Sequence, residues 1–258
     1  MRHPPARGGG RGHLSQTAAL HWLLIGNSRW HWGSRQPGQP LQGWSELPEF
    51  GLARLKTLPT HQLVSWAAVG VVPEQAGPLL APSPRTTTAE VPLGEAPPWL
   101  GVDRALAAWG AWRRSGGSPV LVADAGTALS FTRVRADGSF AGGRLLAGAG
   151  LQLRALGQGT AALPSLDAAP LADAMAGNRW PAATAAAMAV GVVHGLAAAL
   201  SAAARELQQE TGEPVDLWLT GGDGPVLAPL LKGEGQPWRL APTLVLDALA
   251  ELRPGPDP

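Results

Sequence analysis

Four short segments of this 258-residue chain pair glycine with acidic or hydroxyl side chains in arrangements that chemistry can use. Gly26-Asn27-Ser28-Arg29 and Asp124-Ala125-Gly126-Thr127 each follow or close an apolar run. A glycine in a strand-to-strand turn lets backbone N–H groups point into a concavity with no Cβ in the way. The neighbouring Asn, Ser or Thr adds further donors, and the combination suits a phosphate. An ordinary hairpin turn uses the same residue types and is the plain alternative. Asp124 favours the ligand reading for the second turn, because a carboxylate ending a buried strand is costly unless it holds a cation or accepts backbone hydrogen bonds. Thr220-Gly221-Gly222-Asp223 stands between a strand and a short helix. Paired glycines there admit a flat ring or a phosphate close to the backbone, or simply make a connecting loop. Gly101-Val102-Asp103-Arg104 puts an acid at a helix start with an arginine beside it, and an Asp N-cap is the plain reading.

Missing residues exclude other chemistries. With no cysteine there is no thiol nucleophile, disulfide framework, iron–sulfur cluster or thiolate zinc site. Neither lysine, Lys56 nor Lys232, follows a glycine, so a Walker-type phosphate loop is ruled out. His3, His13, His21, His31, His61 and His194 make no His-x-x-x-His pair, and no Gly-x-Ser-x-Gly elbow occurs. The 11 tryptophans read as core volume, since the chain has no tyrosine and only 3 phenylalanines. A formal net charge of +1 and the lack of a helix-turn-helix pattern argue against a nucleic-acid partner. At 45% apolar and 15% charged residues the chain can bury a real core. A mean hydropathy of +0.02, with no apolar run near the ~20 residues of a membrane span, argues against a membrane protein. The basic segment 1–12 is followed by no secretory h-region, so cytoplasmic residence is expected.

The elements that must position these segments follow from apolar patterning. Residues 1–19 form a Gly/Pro/Arg-rich head expected to be disordered. His21–Ile25, a tight turn and Arg29–Trp32 read as strand, turn, strand, and residues 34–44 as a polar Pro/Gly loop. Gln62–Val72 reads as a buried strand, residues 73–98 as a loop with short elements, and Asp103–Arg114 as a helix. Ser115-Gly116-Gly117-Ser118-Pro119 is the best boundary, dividing the chain into halves at 20–115 and 116–258. Val120–Ala123 and a second strand to Arg135 follow, with a turn at Asp137-Gly138 and a return over Phe140–Leu146. An alanine-rich helix runs from Ala182 to about Gln209, Asp216–Leu219 is the final strand, and Leu244–Leu252 is a closing helix. The Gly26 and Gly126 turns stand 100 residues apart, each at the end of a buried strand, which points to two related α/β halves with a ligand cleft between them.

The order of the segments is more specific than any one of them. Gly26-Asn27-Ser28, Leu100-Gly101-Val102-Asp103-Arg104, Asp124-Ala125-Gly126-Thr127, Gly142-Gly143, the Thr184–Gly191 segment and Thr220-Gly221-Gly222-Asp223 succeed one another as in the type III pantothenate kinases, which the chain resembles from about Leu23 to Leu252. The resemblance implies a duplicated ribonuclease H-like fold of the acetate kinase, sugar kinase and actin group. It implies transfer of the ATP γ-phosphate to pantothenate at the start of coenzyme A synthesis. By the same resemblance Gly26, Asn27, Ser28 and Arg29 form the first phosphate loop, Thr127 makes a second phosphate contact, and Gly221 and Gly222 lie at the nucleoside. Asp103 matches the proton acceptor, while Gly101, Val102 and Arg104 line the pantothenate pocket and Thr184 reaches it across a homodimer interface. Asp124 matches the ligand of a monovalent cation, potassium or ammonium, and magnesium accompanies ATP. Two positions depart from the family: Leu24 stands where the first loop normally has an acid, and Ala96-Pro97-Pro98-Trp99 replaces a pocket tyrosine. A catalytically weakened paralogue that binds nucleotide or pantothenate as a regulator is the alternative.

Overall fold

The computed structural model describes residues 19–166, 178–232 and 237–256, so nearly all of the head segment lies outside the described residues. The run Leu20–Ile25 (β1) alternates its apolar side chains between two cores: Trp22 and Leu24 face one, Leu23 and Ile25 the other. A strand buried on both faces reads as a continuous apolar run, as this one does. Trp30–Arg35 (β2) returns antiparallel to β1, Gln42–Glu46 (β3) is antiparallel to β2, and Leu63–Ala68 (β4) lies parallel to β1 on its other side. The expected loop over 34–44 is therefore corrected: its end belongs to β3. Its backbone pairs register by register with β2, and Trp44 stacks on Trp32 with ring centroids 6.3 Å apart. Exposed Gln42 and Gly43 conceal that strand from a reading of apolar pattern.

The second half repeats the plan. Val120–Ala125 (β5), Ala128–Val134 (β6) and Phe140–Ala147 (β7) form an antiparallel meander, and Asp216–Thr220 (β8) joins β5 in parallel. The two sheets run β3-β2-β1-β4 and β7-β6-β5-β8-β9, the same order with one strand added. That added strand, Trp238–Leu240 (β9), corrects the expectation that Asp216–Leu219 would be the last. Three residues with two of them exposed leave almost no periodic signal.

The helices are Pro48–Thr57 (α1), Gly77–Leu80 (α2), Val102–Arg114 (α3), Ala149–Gly159 (α4), Thr184–Thr211 (α5), Gly224–Leu227 (α6) and Leu244–Leu252 (α7). α3 and α7 share one core with Trp22 and Leu24 of the first sheet and with Val120 and Val122 of the second, so they are packed between the sheets. Because it is covered on several sides, α3 buries an unbroken run from Ala105 to Ala111. On the far face of the second sheet, α4 and α5 cover Leu121, Ala123, Leu217 and Leu219. α5 is also long and apolar enough, by length and composition, to cross a membrane, which amends the sequence reading that no segment approaches that length. Its Met188, Val192, Val193, Leu196 and Leu200 are buried in the second core, the place of a core helix.

Candidate active site

Both glycine turns lie at the ends of the central strands β1 and β5 and open onto one cleft of about 580 Å³. The first is closed by Gly26 N–H donating to Arg29 O at 3.0 Å, the second by Gly126 N–H donating to Ala128 O at 3.1 Å. The two turns meet: Ser28 Oγ and Thr127 Oγ1 are hydrogen-bonded at 2.7 Å across 99 residues of sequence. Gly26, Asn27, Gly126 and Thr127 line the cleft, and exposed Arg29 sits at the end of the first turn. Gly221 and Gly222 line it from the end of β8. Gly221 has φ +88°, and a Cβ there would fall 2.4 Å from Ala125 O and 2.5 Å from Asp124 Oδ1, so only glycine lets this backbone lie against β5.

Two carboxylates face this space. Asp103, in the first turn of α3, is not the helix N-cap, a position taken by Gly101; its Oδ1 instead accepts the Arg104 backbone N–H at 2.7 Å. Burial raises the Asp103 carboxyl above its ordinary value, against the hydrogen bond and the positive charge of Arg104. Asp124, at the end of β5, is pushed up to about 7, first by burial and then by the negative charge of Asp103. Among the described residues no hydrogen bond reaches the Asp124 carboxylate, so its charge lacks a protein partner. The third acid of the segment set, Asp223, is raised by burial while its carboxylate accepts the Ala149 N–H, which ties the loop after β8 to the first residue of α4.

The Arg104 guanidinium also lines the cleft, anchored on β6 by Nε donating to Thr132 Oγ1 at 3.1 Å and Nη2 donating to Phe131 O at 3.2 Å. A Cβ on Gly143 would fall 2.1 Å from Phe131 O and 2.5 Å from Arg104 Nη2, so glycine there admits both the neighbouring strand and the guanidinium, while Gly142 serves a backbone φ of +94°. Not every expected residue converges. Val102 is 5% exposed, buried in the central core, and does not line the cleft, because the helical turn carries its side chain away from that of Asp103. Thr184 is exposed at the start of α5 and does not line the cleft of its own chain. Conversely, His31, Ser45, Val69 and Thr243 line the cleft without having been singled out as site residues. His31 and Ser45 are cross-strand partners on β2 and β3, and missing β3 hid the pair. Trp99, 74% exposed, lines the cleft from the 96–99 stretch.

Two sheets of the same strand order, helices packed between them, and two glycine turns that meet over an acidic cleft define the class. It is the duplicated ribonuclease H-like fold of the acetate kinase, sugar kinase and actin group. Solved structures agree. The chain is similar to a conserved protein described as a Baf family transcriptional activator from Campylobacter jejuni, with a TM-score of 0.56 and 17% identity over 90% of this chain and 96% of that one, a likeness of fold. It is also similar to the activator of the 2-hydroxyisocaproyl-CoA dehydratase from Clostridium difficile with bound ADPNP, with a TM-score of 0.50 and 12% identity over 91% and 93% of the two chains. Residues 74–206 match the family model of type III pantothenate kinase. A type III pantothenate kinase from Synechococcus elongatus is 37% identical over 243 residues, which cover 89% of this chain and 94% of that protein. The chain belongs to the type III pantothenate kinase family.

Proposed function

We propose that this protein transfers the γ-phosphoryl group of ATP to the primary hydroxyl of pantothenate, the first step of coenzyme A synthesis. The observation that carries the reading is the placement of Asp103 and Asp124 in one cleft with the two linked phosphate-sized turns. Gly26, Asn27, Ser28 and Arg29 hold the phosphates from the first turn and Thr127 from the second, with Gly221 and Gly222 beside the nucleoside. Backbone N–H groups and hydroxyls fixed in advance by the Ser28–Thr127 hydrogen bond need little rearrangement to receive the phosphates. Asp103 accepts the hydroxyl proton as the new O–P bond forms. A carboxyl raised by burial binds that proton more firmly than an exposed one, which suits it to the role. Arg104, held on β6, presents its remaining N–H groups to the pantothenate carboxylate. Gly101 lines the pocket and Val102 backs it from the core.

The Asp124 carboxylate, unpaired and next to a second acid, fits a monovalent cation such as potassium or ammonium. Such an ion supplies positive charge beside the transferring phosphoryl group. Magnesium arrives with ATP, largely held by its phosphates; among the described residues no three His, Asp or Glu side chains gather as a metal site. A homodimer with Thr184 completing a second copy's pantothenate pocket belongs to the same reading. It is supported by the exposed small-residue face of α5, with Ala187, Gly191, Gly195 and Ala198 open to solvent in the single chain. Cytoplasmic residence belongs to the same reading. Neither the family model nor the curated relative favours a non-catalytic regulator.

Asp103→Asn tests the assignment. It should lower kcat by roughly two to four orders of magnitude with the melting curve unchanged. Turnover near wild type in the folded variant would exclude Asp103 as the acceptor.

A further inference from the structure

The reaction just described gives the one histidine that lines the cleft no task. His31 of β2 pairs directly with Leu24 of β1, and both line the cleft. Directly opposed residues of an antiparallel pair project from the same face. Leu24, 6% exposed and part of the central core, offers no polar atom there, so the imidazole is the polar group that this face brings to the first turn. Its orientation is fixed from β3, since Nδ1 lies 2.7 Å from Ser45 Oγ. The opposite ring edge leans on the turn: a Cβ built on Gly26 would come within 3.1 Å of His31 Nε2 and 3.3 Å of Cδ2. A Cβ there would come nearer still to Arg29 O, at 2.8 Å, so glycine serves first the closure of the turn and then the close approach of the ring.

The protonation state follows from the surroundings. Burial, and after it the Arg29 guanidinium, hold the imidazole below its ordinary value, so the ring is neutral at physiological pH. A neutral imidazole has one donor and one acceptor. The Ser45 hydroxyl can donate to Nδ1 or accept from it, and in the tautomer in which it donates the ring proton sits on Nε2, which has no hydrogen-bond partner among the described residues.

We infer that His31 is a nucleotide-phosphate contact, its Nε2–H donating to a phosphate oxygen held by the Gly26-Asn27-Ser28 turn. Ser45 is the positioning residue that aims the ring, and a phosphate oxygen at Nε2 favours the tautomer with the proton there. The inference rests on the kinase reading for the identity of the ligand, ATP, and on the geometry of β1, β2 and β3 for everything else. Phosphate contacts of this kind are worth roughly tenfold to a hundredfold in affinity.

The test uses the full chain and two independent readouts: calorimetric titration with magnesium ATP, and initial rates with ATP and pantothenate varied in turn. His31→Phe keeps the ring volume and removes the donor. It should raise the Kd and the KM for ATP at least tenfold and leave the KM for pantothenate within about twofold. His31→Gln, whose amide N–H can reach the Nε2 position, should recover most of the loss, and Ser45→Ala should cost a few-fold in ATP affinity. Melting curves identify folded variants, and if His31→Phe does not fold, His31→Ala takes its place. Unchanged ATP affinity in a folded donor-free variant would overturn the inference. So would an equal loss for both substrates with no rescue by glutamine, the signature of a merely structural ring. A wild-type protein that binds magnesium ATP but does not phosphorylate pantothenate would defeat the kinase reading, and the titrations would still decide the role of His31.

Discussion

Asp124→Asn should make the ion-free protein more stable at neutral and alkaline pH while abolishing its activity. The magnitude follows from the carboxyl itself, which burial and then the Asp103 charge push up to about 7 from an ordinary 3.8. Between those values the folded chain keeps a proton that the unfolded chain releases, so stability falls by about 1.4 kcal/mol for each pH unit gained. The contribution is fully present below about pH 4, is lost as pH rises, and levels off above about pH 7, for a total of about 4 kcal/mol. Asparagine has no such slope. The variant should match the wild type near pH 4 and exceed it by a few kcal/mol near pH 8. Denaturant unfolding in buffers whose only cation is too large for the site, such as tetramethylammonium, measures both curves. Adding potassium near pH 8 should then stabilise the wild type, since an ion held at the folded carboxylate would have no such site in the unfolded chain, and should leave the variant unmoved. Parallel pH curves for the two proteins, or a variant less stable than wild type near pH 8, would refute the reasoning.

Other expectations are simpler to check. Ser28→Ala removes the 2.7 Å bond to Thr127 and should raise the KM for ATP several-fold, about 1 kcal/mol, in steady-state rates. Leu24→Asp places a carboxylate at a site 6% exposed in the central core and should lower stability by about 2 kcal/mol or more in unfolding titrations, with magnesium ATP restoring part of it. In the folded variant the magnesium concentration for half-maximal rate should be lower than in wild type. Thr184→Ala should weaken pantothenate more than ATP in KM measurements, and light scattering should find a dimer at assay concentration; an active monomer would contradict the shared pocket.

How far the sequence carried depended on which signals are local. β1, β5 and β8 were legible because strands buried on two faces are continuous apolar runs, and the glycine turns after them are punctuation that a single chain shows plainly. The 100-residue spacing of those turns marked the duplication that the strand orders display. β3 was missed because its stability comes from partners: Trp44 on Trp32, and Ser45 on His31. With β3 hidden, His31 looked like an isolated histidine. Val102 shows the converse limit, since a motif names neighbours in sequence while a helix sends them to different faces; Asp103 opens onto the cleft and Val102 onto the core. The charge state of Asp124 was likewise beyond a sequence reading, because it depends first on how deeply the assembled cleft buries the carboxyl and then on Asp103 facing it from another element.

Phosphorus NMR of the product distinguishes phosphoryl transfer to pantothenate from ATP hydrolysis. Purified protein is incubated with pantothenate, ATP, magnesium and potassium, and the spectrum is compared with reactions lacking pantothenate or containing Asp103→Asn. A new phosphomonoester signal coupled to the methylene next to the primary hydroxyl, rising in step with ADP and absent from both controls, is the result expected. ADP released at the same rate without pantothenate, or no phosphomonoester from a folded protein that binds ATP, would contradict it.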